Sequence, residues 1–328
     1  MINKNIKTKI KPKKIAVYTI LVLICLLIPQ VITGSYYLQI FVLVFIYAAA
    51  AGAWNIIGGY AGQISLGHVA FFGIGSYTTT LLYLNFGLSP WFGMIIGAVI
   101  AAIVGCLISY PCFRLRGPFF TLATLAFAEV LRLLFIWARP VTGGSVGLTI
   151  LFKPSFANMQ FVEKAPYYYI AFVLMMLVLG ISLYIERSKF GYCLTALKED
   201  HDAAEALGIN TARYKLYATA ISSFLTAICG AFMAQVLLYV EPAAAFSSAL
   251  SNMFAMIAVV GGAGTAWGPI LGSVLITPLN ELLRGWLGGN YQGLNYVIFG
   301  LILILIVTFM PNGLIYFFKD VTRKICRK

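Results

Sequence analysis

From Ile15 onward, stretches of about 20 apolar residues follow one another with only short polar breaks between them. A helix needs about that many apolar residues to cross the hydrocarbon core of a bilayer, and a soluble core does not absorb such runs in succession. Charged residues make up 10% of the chain, where a soluble domain carries roughly 25%, and hydrophobic residues make up 61%. The sequence therefore predicts an all-α integral membrane protein, a polytopic helical bundle.

About ten spans are expected, within a range of eight to ten, at 15–33, 38–57, 64–84, 91–110, 118–138, 167–185, 214–239, 247–262, 268–286 and 293–310. The third and eighth are rich in Gly and small polar residues, which suits broken or re-entrant helices buried in protein. The first follows a lysine-rich leader, like a signal peptide. It is longer than a usual signal core and no small-residue cleavage site follows, so it is read as an uncleaved helix. The expected organisation is a basic leader (1–14), a transmembrane domain (15–318) and a basic tail (319–328). Two loops stand out within it, at 139–166 and 186–213.

Charge placement orients these spans. Lys4, Lys7, Lys9, Lys11, Lys13 and Lys14 precede the first run, and Lys319, Arg323, Lys324, Arg327 and Lys328 follow the last. An even number of spans puts both groups on one side, with Arg114, Arg116 and the basic residues of 186–213. Positive residues mark the cytoplasmic side, so both termini are expected there. The net charge of +13 is thus accounted for by membrane topology, and no nucleic-acid partner is implied. The lipid bilayer is the expected surround.

Six cysteines lie in apolar runs or inner loops without CxxC spacing, which argues against a disulfide framework or a zinc site. A nucleotide-binding loop would need Gly-Lys-Ser/Thr, and the chain has no Gly-Lys pair. The stretch Gly143-Gly144-Ser145-Val146-Gly147 lacks the lysine and follows a helix, so it is read as an outer loop. No catalytic residues, metal site or cofactor site of the chain's own is expected; any ATP used must bind another polypeptide. Small residues at four-residue spacing (Gly93, Gly97, Ala101, Gly105, and again Gly264, Gly268, Gly272) suit close helix packing, with a moving gate as the alternative.

Ionisable residues inside spans are functional candidates by default. Glu129 and Arg132, three apart on one helix, can pair structurally or touch a substrate. Gln63, Ser65 and His68 cluster in a Gly-rich stretch that could line a translocation pathway, or His68 could simply be satisfied by its neighbours. Glu241 and Glu281 fall near the outer ends of spans.

The loop RSKFGYCLTALKEDHDAAEALGI (Arg187–Ile209) is the most charged segment outside the termini. Its second half predicts a short capped helix. Asp202 and Glu205 have capping-box spacing, Gly208 suits a left-handed stop, and Asn210 or Thr211 can cap the next span. Ala203, Ala204 and Leu207 are expected to form its apolar side.

The segment Ala203–Asn210 (AAEALGIN) resembles the cytoplasmic coupling motif of ABC importer permeases. Gly59–Leu82 (GYAGQISLGHVAFFGIGSYTTTLL) resembles an early signature of branched-chain amino acid permeases of the LivM type. Leu115–Leu134, Thr142–Leu148 (TGGSVGL) and Val259–Leu275 resemble later blocks of that family, in order, over roughly residues 40–310. The resemblance implies a multi-pass permease subunit in the bacterial cytoplasmic membrane. Its expected partners are two ABC ATPase subunits that bind the ATP, a homologous second permease and an extracytoplasmic substrate-binding protein. It also implies that Asp202, Ala203, Ala204, Glu205, Ala206, Leu207 and Gly208 form the helix that docks on the ATPase. The competing readings are a gradient-driven secondary transporter using Glu129, Arg132 and His68 as a relay, an ABC permease for another small solute such as urea, and a channel or structural membrane protein.

Overall fold

The computed structural model describes residues 23, 25–31, 34–113, 115, 117–287, 294–310 and 313–315. The leader, the tail, Cys326, Arg114 and Arg116 lie outside the described residues. Of the expected first span, the described residues 23 and 25–31 are helical.

The fold is a helical bundle built around α1 (Ser35–Asn55). This helix is apolar on all sides, and from Val42 to its end every residue is buried. A helix without a polar face belongs in the middle of a bundle, and its run Ala48-Ala49-Ala50-Ala51-Gly52-Ala53 lets neighbours come close. The helix then loosens into a π-turn (Ile56–Tyr60), and residues 61–67 are not helical.

The expected third span begins later than predicted, as α2 (His68–Phe86), and is an unbroken helix of 19 residues. It is followed by α3 (Pro90–Cys112) and α4 (Pro118–Trp137), both with proline in the first turn, where the missing N–H costs nothing. After the 139–166 segment come α5 (Ala165–Arg187), the short helices α6 (Lys189–Glu199) and α7 (His201–Ala206), and α8 (Thr211–Leu237). The described bundle is completed by α9 (Ser248–Gly262), α10 (Gly268–Leu287) and α11 (Leu294–Phe309). The long helices alternate between two ends of the molecule: one carries α6 and α7, the other the 139–166 segment. Among the described residues six helical stretches are long and apolar enough to cross a membrane.

Helices α2 and α8 pack backbone to backbone. A Cβ on Gly75 would sit 2.0 Å from the Ala227 carbonyl oxygen, and one on Gly230 would sit 2.0 Å from that of Phe72. Each glycine thus receives the other helix's backbone. The Gly93, Gly97, Ala101, Gly105 stripe lies on α3 against Thr79, Gly75 and Ser223, which accounts for it by packing. The second expected stripe is not one helix face: Gly264 lies in the turn before α10, and Gly268 and Gly272 approach the end of α9.

The eighth span lies where it is expected, and the 139–166 segment differs from expectation. The eighth span, α9, has 15 residues, about 22 Å, and a separate turn (Pro242–Ala245) precedes it. The 139–166 segment is not a plain loop: β1 (Leu148–Thr149) pairs antiparallel with β2 (Tyr239–Val240), directly after α8. Gly147, at φ +77, makes this possible, since a Cβ there would lie 2.3 Å from the Val240 carbonyl oxygen.

Candidate functional site

The charged connection between α5 and α8 is more helical than its sequence suggests. Ser188 caps α6, its Oγ accepting from Gly191 N at 3.2 Å, while Leu194 and Leu197 are buried. At Asp200 the backbone turns extended and the chain starts again as α7. Asp200 is the cap: its Oδ1 accepts from the N–H of Asp202 at 2.9 Å and of Ala203 at 3.0 Å. The expected capping box of Asp202 and Glu205 is therefore corrected: the cap lies two residues earlier, at Asp200. Asp202 stands exposed in the first turn of the helix, and Glu205 reaches forward, its Oε1 accepting from Thr211 Oγ1 at 2.5 Å.

Gly208 has φ +83, and the N–H groups of Gly208 and Ile209 bond the carbonyls of Glu205 (2.8 Å) and Ala204 (3.1 Å). This is the left-handed stop that the sequence predicts. Asn210 Oδ1 accepts from Arg213 N at 3.0 Å and caps α8. Only Ala204 of the expected apolar side faces inward. Ala203 and Ala206 are exposed, and Leu207 is 81% exposed. The helix thus holds on by one small residue and presents an apolar knob outward.

A junction that the sequence reading missed joins this connection to the bundle. The Lys198 stem packs on Gly62, where a Cβ would lie 2.9 Å from its Cγ, and its Nζ lies beside Gly264. Asn55 at the end of α1 donates from Nδ2 to Thr265 O at 3.0 Å and accepts from Gly264 N at 2.8 Å. The signal was a lone asparagine in an otherwise apolar run, where a buried amide needs partners.

Ser65 and His68 come together in the break between α1 and α2, where Gln63 also lies. His68 is 1% exposed; its Nδ1 meets Ser65 Oγ at 3.0 Å and its Nε2 meets Ser222 Oγ at 2.6 Å. The irregular backbone is held by other helices: Trp54 Nε1 donates to Ser65 O, Thr121 Oγ1 to Ile64 O and Ser251 Oγ to Leu66 O. Gln63 is half-buried, and its N–H donates to Ile57 O at 3.1 Å. Non-helical backbone at membrane depth is tolerated when protein surrounds it in this way.

Glu129 and Arg132 pair on α4, with Arg132 Nε 3.0 Å from both carboxylate oxygens. Their side chains are 49% and 28% exposed. The buried residues of α4 are Phe120, Thr124 and Ala128, and Arg132 continues their four-residue ridge, so the pair sits at the edge of the buried face with Glu129 the more exposed partner. The structure does not join it to His68, whose ring nitrogens are held by hydroxyls.

A bundle of helices long and apolar enough to cross a membrane, with the short capped helix α7 at one end, defines an integral membrane protein. The chain belongs to the family described as branched-chain amino acid transport system / permease component, whose profile matches residues 36–307. It is 29% identical to the high-affinity branched-chain amino acid transport system permease protein LivM of Escherichia coli strain K12, over 83% of this chain and 68% of that protein. It is 26% identical to LivH of the same strain, over 82% of this chain and 91% of LivH. It is 27% identical to a probable LivH permease of Methanocaldococcus jannaschii, over 71% and 75%.

Proposed function

We propose that this chain is the membrane-spanning subunit of an ATP-driven importer that moves branched-chain amino acids. The observation that carries this reading is α7: a capped helix with Leu207 projecting outward at the end rich in basic residues, on a chain of the family to which the named transport permeases belong. An exposed leucine on a short rigid helix suits a groove on a partner. That partner is the ATPase subunit, which binds the nucleotide, and two such subunits serve the assembled importer.

The remaining parts follow the same reading. About ten spans leave both termini in the cytoplasm of a bacterial inner membrane, with the 139–166 segment outside. An extracytoplasmic binding protein delivers the amino acid there. An ion pair facing hydrocarbon is unfavourable, so the α4 face carrying Glu129 and Arg132 packs against a homologous second permease or lines the path between the two. The chain itself performs no covalent chemistry. A gradient-driven relay is disfavoured, because His68 is fixed between Ser65 and Ser222 while Glu129 and Arg132 bond each other and not His68.

Site-directed cross-linking tests the reading. Leu207→Cys should form a disulfide with a cysteine scanned through the ATPase surface in the assembled complex. Leu207→Asp should leave the chain in the membrane but strip it of ATPase. Full ATPase assembly on Leu207→Asp would contradict the docking role.

A further inference from the structure

Within this one chain lies a cavity of about 880 Å³, inside the range of roughly 300–1,000 Å³ common for small-molecule sites. Along α9 it reaches from Ser247 to Met256, about 13 Å, or nearly half of the hydrocarbon core. Its inner part is apolar and partly thioether-lined: Leu43, Phe72, Met233, Met253, Met256 and Ile276. Its polar groups gather towards the opposite end, away from α7: Gln39, Tyr239, Glu241, Asn280, Glu281 and Arg284.

These groups come from three separate segments of the chain. Gln39 is on the first turns of α1, Tyr239 and Glu241 follow α8, and Asn280, Glu281 and Arg284 end α10. The segment after α8 is held in place by the β1–β2 pair, and Tyr239 Oη donates to Val146 O at 2.6 Å and to Glu241 Oε2 at 3.1 Å. Glu281 and Arg284, one turn apart on α10, form no ion pair with each other among the described residues. Gln39 Oε1 is buried with no hydrogen-bond partner among the described residues, an acceptor waiting for a donor.

We propose that this cavity binds a zwitterionic amino acid with a branched apolar side chain. The carboxylate goes to Arg284, the ammonium goes to Glu281 and Gln39 Oε1, and the side chain points inward among the methionines. Methionine adapts its shape, which suits a site taking leucine, isoleucine and valine alike. The opposed charges demand both ends of a zwitterion, so this chain would contact the substrate itself. The proposal rests on the importer reading for its substrate class, and the site would face the binding protein.

The test is equilibrium binding of labelled leucine to the assembled permease–ATPase complex in nanodiscs, without binding protein. Saturable binding is expected, displaced by isoleucine and valine but not by 4-methylpentanoate or isoamylamine, each of which lacks one charge. Arg284→Gln and Glu281→Gln should each weaken it at least tenfold. In a correctly assembled Met256→Cys complex, leucine should slow maleimide modification of the new thiol several-fold, which reads the site without removing its charges. No saturable binding, displacement by 4-methylpentanoate, or modification unaffected by leucine would overturn the cavity site. ATP-driven uptake by the whole importer is measured in parallel. Uptake without cavity binding overturns this proposal alone, whereas cavity binding without uptake keeps the site and overturns the importer reading.

Discussion

Glu205 Oε1 accepts a hydrogen bond from Thr211 Oγ1 at 2.5 Å, so the short helix α7 is tied by a side chain to the first residue of the long helix α8. A push on α7 from outside the membrane therefore reaches α8 through this bond and the two residues between Gly208 and Thr211. Glu205→Ala removes the bond, at a cost of about 1 kcal/mol in a half-exposed setting. Hydrogen exchange at residues 201–208 should then quicken roughly fivefold, and substrate-stimulated ATP hydrolysis should fall, while Glu205→Gln retains most of both. Unchanged exchange in Glu205→Ala would remove the link.

Gly208 allows a cleaner test because nothing lies within 4 Å of where its Cβ would be. Any effect of substitution therefore comes from φ +83 alone. A β-branched residue there is strained by about 1–3 kcal/mol, whereas asparagine tolerates the left-handed region. Gly208→Val should insert normally but lose most coupled uptake, and Gly208→Asn should keep it. Equal loss in both variants would point to a contact in place of the turn.

The bundle was legible because lipid forces the apolar periodicity into the open: most spans were placed to within a few residues. The stop at Gly208 and the cap at Asn210 were legible for a similar reason, since each depends on one residue type at one position. The cap at Asp200 was misread because Asp200 and Asp202 offer the same chemistry two residues apart, and only the break in the backbone after Glu199 decides between them. The Asn55–Gly264 and Lys198–Gly62 contacts join residues far apart in sequence, which no local pattern encodes. The gathering of Gln39, Glu241, Glu281 and Arg284 was hidden for the same reason, although two of the four already stood out as charges near span ends.

Orientation is tested through Cys193, half-buried on α6. An impermeant thiol reagent should leave it unmodified in intact cells and modify it in inside-out vesicles. Modification from outside would reverse the orientation and place α7 away from any cytoplasmic ATPase.

The Glu129–Arg132 pair separates a packing role from a proton relay. Glu129→Gln leaves Arg132 unpaired on a face within the membrane, and assembly with the second permease should drop severalfold. The double variant Glu129→Gln with Arg132→Met should recover much of the assembly and retain uptake. Well-assembled complexes that have lost uptake in both variants would favour a relay. Leu133→Cys, four residues on from Glu129 and exposed like it, should cross-link to the second permease.

Reconstitution in liposomes tests the account most directly. The chain alone should move no leucine under a proton or sodium gradient. With the second permease, the ATPase subunits and the binding protein, leucine should accumulate when ATP is supplied, and a protonophore should not slow it. Leucine uptake by the isolated chain driven by an ion gradient would contradict the importer account.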